Sequence, residues 1–202
     1  MKVSFNELKS MSKGAARGSG LSWGQAEEVS FATVWLLKNG FDVSNDLIDL
    51  LESDIIYPPN NIDKDIWENK SGDLDPIKSG VALLDLNINK TIVLRNVFLP
   101  YFLIPFIAQL SQSMLIKANN FSAMLIDGRV KTNIKDLPSR SEEVKLSATS
   151  DKIELKYSQV PKRCQVADDV WNRLEELTYL TYAPATEESR VLGAGAGLSD
   201  ND

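Results

Sequence analysis

Histidine does not occur among the 202 residues of this chain. Its absence removes the side chain whose unperturbed pKa lies nearest neutrality, and with it the commonest general base and metal ligand. Serine–histidine and cysteine–histidine catalysis are therefore excluded within the chain. Cysteine is nearly as scarce, because Cys164 stands alone and can form neither an internal disulfide nor a thiolate zinc cage. No metal and no cofactor is expected. Long apolar runs are missing as well. The most hydrophobic stretch, "VFLPYFLIPFIAQL", is uninterrupted only from Val97 to Ala108, too short for a bilayer span, and it contains two prolines. A basic excess is also absent: the net charge of -6 and pI near 4.8 argue against nucleic acid or an anionic membrane surface as partner. The opening "MKVSFNELKS" has no apolar signal core, so a cytoplasmic location is expected.

What remains is ordinary globular chemistry, with 43% hydrophobic and 25% charged residues, read as a single domain over residues 1–202. Ser4 and Glu7 have capping-box spacing ahead of a helix that ends near Gly18. Ser22 and Gln25 repeat that spacing ahead of a second, mostly apolar helix, for which Gly40 offers a left-handed stop. A third helix is predicted in "SNDLIDLLES", with Ser44 as its cap. Residues 57–76 read as loop. The runs "VALLDL" and "TIVLRNVF", separated by "NINK", suggest an antiparallel strand pair. A buried helix beginning at Pro100 or Pro105 is predicted to run to about Met114. Asp127-Gly128 marks a hairpin in "FSAMLIDGRVKTNI", and "EVKLSAT" with "KIELKYSQ" suggests a second pair. A last amphipathic helix carries Val170, Trp171, Leu174 and Leu177 on one stripe, and a short helix from Pro184 precedes a glycine-rich tail. The predicted class is α+β: a mostly antiparallel sheet flanked by helices, with a helical N-terminal region and a C-terminal helix with its tail.

Several motifs invite chemistry. "GLSWG" at residues 20–24 fits the nucleophile pattern GxSxG, which requires a preceding strand and a nearby base. Here a helix precedes it and no histidine exists, so Ser22 reads as a helix cap. "GAGAG" at Gly193, Gly195 and Gly197 lacks the spacing and following helix of a dinucleotide site, but its backbone could form an anion-binding nest. Asp63, Asp65, Asp73 and Asp75 lack calcium-loop spacing and read as solvated loop carboxylates. Cys164 follows Lys162 and Arg163, which would favour a thiolate, yet a thiol without a base is not a catalytic site.

The two ends of the sequence are oppositely charged. Residues 1–20 carry a net charge of +3 from Lys2, Lys9, Lys13 and Arg17 against Glu7. Residues 183–202 carry -3 from Glu187, Glu188, Asp200 and Asp202 against Arg190. Seven of the eleven glycines lie in the flanking regions, so the expected site is a cleft between the ends, with Arg17, Arg190, Gly193, Gly195 and Gly197 binding a small anion.

The stretches "KGAARGSGLSWGQAEE" and "TYAPATEESRVLGAGAGLSDND" resemble an uncharacterised bacterial family, domain of unknown function 3726. The resemblance implies a bacterial, intracellular, single-domain protein and assigns no chemistry. The functional expectation is a binding or accessory protein for a small anionic metabolite. A histidine-independent enzyme using Lys13, Arg17, Tyr182 or Glu187 on the same ligand is the first alternative. A protein-interaction subunit, through a partner or a homo-oligomer, is the second.

Overall fold

The computed structural model describes residues 1–119, 121–126, 129–134, 136–148, 161 and 163–182, together with the backbone of 156–157. Its first two helices form as the capping signals predict. In α1 (Phe5–Gly18), the Glu7 amide donates to Ser4 Oγ at 3.2 Å, and the Glu7 carboxylate accepts from the Ser4 amide at 2.7 Å. In α2 (Trp23–Lys38), Ser22 and Gln25 make the same reciprocal pair at 3.2 and 3.0 Å. Each box satisfies two backbone donors that the first helical turn leaves open. Gly40, at φ +81°, ends the second helix as expected.

α2 is buried on most of its circumference. Where it crosses α1, two buried hydroxyls meet: Ser12 Oγ lies 3.1 Å from Ser30 Oγ, and each also donates to an α1 carbonyl. No donor is stranded at this crossing, which lets polar residues sit inside the packed seam.

α3 (Ser44–Glu52) forms, but Ser44 does not cap it. The serine is the first helical residue and its hydroxyl is buried without a partner, while Asp42 accepts from the Ser44 amide at 3.3 Å. The stretch expected as loop, with Ile56 just before it, forms three two-residue strands, β2 (Ile56–Tyr57), β3 (Ile66–Trp67) and β4 (Asp73–Leu74).

"VALLDL" is not a strand. It belongs to α4 (Pro76–Asp85), started by Asp75, whose Oδ1 accepts from the Ile77 and Lys78 amides at 2.8 and 3.1 Å, and by Pro76 in the first turn. Asn87, at φ +44°, lies just beyond the helix, so "NINK" holds a helix exit instead of a hairpin turn.

Among the described residues the main sheet has nine strands, completed by β5 (Ile92–Phe98), β6 (Met114–Ala118), β7 (Ser122–Ile126), β8 (Arg129–Thr132), β9 (Arg140–Ala148) and β10 (Lys156–Tyr157). Its order is β10-β8-β7-β6-β9-β5-β4-β2, with β3 also beside β5. The pairs β2–β4, β3–β5 and β4–β5 are parallel; the others are antiparallel. β7 and β8 make the predicted hairpin, with Ile126 opposite Arg129. β9 lies between β5 and β6, and β10, the described part of "KIELKYSQ", joins β8 and not β9. Val144 and Leu146 are buried there, so lying between two apolar strands satisfies both edges of β9.

The hydrophobic stretch after β5 gives a 3-10 turn (Pro100–Leu103) and a short α5 (Ile104–Ile107), all buried, and the helix stops well before Met114, which opens β6. A ring of Phe106 fills the space where a side chain on Gly80 would be, which brings α4 close to α5. β1 (Lys2–Val3) pairs antiparallel with β11 (Cys164–Gln165), fastening the N-terminal residues beside α6 (Asp168–Tyr179). One cluster of buried apolar residues extends from Val3 to Leu177. The α+β architecture is as predicted. The short helix expected from Pro184 and the glycine tail lie outside the described residues.

Candidate functional site

The α1–α6 contact is built on small residues. A methyl group added at Gly14 would lie 2.7 Å from Thr178 Cγ2, and one at Gly18 would collide with the Leu177 carbonyl. Glycines four residues apart thus let the two helix backbones approach. Leu180 also reaches the Gly18 position. The last described residues therefore stand at the end of α1 that carries Arg17.

Arg17 is half-buried and already engaged. Its Nη1 donates to the Leu21 carbonyl at 2.7 Å, holding the turn between α1 and α2, and its guanidinium lies 5.6 Å from the centre of the Trp23 ring. Lys13 approaches the same ring at 5.5 Å and makes an ion pair with Glu27 at 2.5 Å. Trp23 is 58% exposed and serves as a platform for the two cations. Tyr179, Leu180 and Tyr182 are also exposed at the end of α6. The other predicted ligand residues, Arg190, Gly193, Gly195 and Gly197, lie outside the described residues.

A hollow of about 150 Å³ flanks the same α1–α2 turn. Ser19, Leu21 and Gln25 form one wall; Leu50, Ser53 and Asp54 from the end of α3 form another; Asp75 and Lys78 close it. No local pattern in the sequence marks this hollow, because it depends on where α3 and the start of α4 pack against the α1–α2 turn. Asp75 is not a solvated loop carboxylate: it is 4% exposed, caps α4 and holds Lys78 Nζ at 3.1 Å. Two of its acidic neighbours in sequence are paired as well, Asp73 with Arg140 at 2.7 Å and Asp65 with Lys90 at 2.6 Å.

Other sequence candidates resolve more simply. Ser22 is a cap, with its oxygen directed to the Gln25 amide. Cys164 is buried in β11, where burial, aided by the nearby Asp42 carboxylate, pushes its thiol pKa up, opposite to the effect expected from its basic neighbours. Among the described residues no group of three or more His, Cys, Asp or Glu side chains could hold a metal ion. Among them, too, no helix is long and apolar enough to cross a membrane.

The candidate site thus lies at a helix terminus of an α+β protein. Residues 3–96 match the model of a family described as a protein of unknown function (DUF3726). That match contains the first of the two sequence stretches that carry the resemblance, and every residue lining the hollow beside the α1–α2 turn. No curated protein matches the chain significantly. Among solved structures, a malate dehydrogenase from Entamoeba histolytica aligns with 13% identity and a TM-score of 0.44, over 75% of this chain and 50% of the dehydrogenase chain. A likeness that slight carries no argument about activity.

Proposed function

We propose that this protein binds a small anionic metabolite, as a binding or accessory protein, at the end of α1 that carries Arg17, with residues that follow Tyr182 in sequence completing the site. The supporting observation is the glycine-mediated contact of α1 with α6, which brings Leu180 to Gly18. Arg190, Gly193, Gly195 and Gly197 follow in sequence from that point and would complete the site. An arginine presents five N–H donors, and Arg17 uses Nη1 on Leu21, so donors remain for a carboxylate or phosphate. Trp23 lies 5.6 Å from the guanidinium, and an anion bound beside the ring would meet it partly screened from water.

A thermal-shift series with inorganic phosphate and simple carboxylates tests this reading on the whole chain. At roughly a hundredfold excess over Kd, bound ligand should raise the Tm by about 5 to 10 °C. Arg190→Ala should remove that response while leaving the unliganded Tm unchanged. A response that survives Arg190→Ala, or none from any anion, would count against the site.

A further inference from the structure

A second concavity lies on the α1–α2 seam, with a volume of about 450 Å³. That is within the range of small-ligand sites. Its charges are sorted by wall. Lys9 and Lys13 come from α1, and Glu27 and Glu28 from α2. Lys13 and Glu27 neutralise one another. Lys9 and Glu28 make no ion pair among the described residues. Phe31 and Leu84, both packed against the core, supply an apolar floor, and Phe31 is braced edge-on by Phe106 at 5.9 Å between ring centres.

We propose that this groove binds a small zwitterion with an apolar body, of the α-amino acid type, its carboxylate at Lys9, its ammonium at Glu28 and its side chain on Phe31 and Leu84. A simple anion would face Glu27 and Glu28. A divalent cation would face both lysines and find only one unengaged carboxylate. A ligand bearing both charges meets each wall with its complement. Glu28 needs such a cation: partial burial, together with the Asp85 and Glu27 charges, holds its carboxyl above the usual range, so the charged form lacks compensation. This site does not depend on residues beyond Tyr182 or on Arg17.

Isothermal titration of the full chain with leucine, N-acetyl-leucine and leucinamide at neutral pH tests the proposal. Saturable binding of leucine is expected, weakened about tenfold or more in each blocked analogue and in Glu28→Gln and Lys9→Met. Glu28→Gln should fold with an undiminished Tm, since it removes an uncompensated charge, so lost affinity in that variant reports the contact and not unfolding. No heat from leucine at millimolar concentration, or affinity unchanged by both substitutions, overturns the proposal. Phosphate and acetate titrated in parallel report the Arg17 site separately: heat from either with none from leucine overturns this inference alone, whereas leucine binding with no heat from either anion supports it and counts against only the Arg17 reading.

Discussion

Gly14, Gly18, Gly20 and Gly24 look alike in the sequence, but the structure uses them differently. Gly18 has a carbonyl of α6 against its Cα, so Gly18→Ala must push the helices apart and should cost about 1 to 3 kcal/mol. Gly20 faces open space but sits at φ +98°, so Gly20→Ala should cost about 1 to 2 kcal/mol through backbone strain alone. Gly24 lies in the first turn of α2 with nothing within 4 Å, and Gly24→Ala should stabilise by about 0.5 kcal/mol. Urea denaturation of the three variants should give that order. Equal effects would mean that the glycines serve flexibility and not close packing.

Helices announced themselves through short-range chemistry. Both capping boxes, the Gly40 exit and the apolar stripe of α6 were legible because each involves residues within a few positions of one another. Ser22→Ala should therefore cost about 1 kcal/mol in denaturation, and Ser22→Asp much less, as befits a cap. A serine-directed fluorophosphonate should leave Ser22 unlabelled in mass spectrometry, and labelling there would revive the nucleophile reading. Strand assignments fared less well. "VALLDL" is apolar enough for either state, and its helix depends on Asp75 and Pro76, whose composition alone suggests the end of a loop. The partner of β9 could not be read from neighbouring residues, since it pairs with strands that begin 48 and 26 positions earlier in the chain (Ile92 and Met114 against Arg140).

Across the whole molecule, packing also sets the charge balance. Asp46 is held above the usual carboxylate range chiefly by burial, with Asp49 and Asp42 adding like charge. The buried Tyr101 hydroxyl opposes this from within electrostatic reach, though outside hydrogen-bond geometry. Between the unfolded pKa of about 3.9 and the raised folded value, the native state holds more protons than the unfolded chain. Asp46 therefore costs stability as pH rises through that window. Asp46→Asn carries no such penalty, so its stability relative to the unmodified protein should improve from about pH 3 to pH 7, as read from thermal melts at both. An advantage that shrinks with rising pH would contradict the burial argument.

Composition was enough to exclude histidine-based catalysis, and local pattern was enough to start and stop α1 and α2 and to mark the buried stripe of α6. Those outcomes need only the identity of a residue and its near neighbours, because side-chain pKa, capping and helical periodicity act over one or two turns. The hollow beside the α1–α2 turn, the charge-sorted groove on the α1–α2 seam and the meeting of α1 with α6 required the packed chain. Each joins residues distant in sequence whose approach is set by core packing, and no local pattern encodes which surfaces close packing will bring face to face.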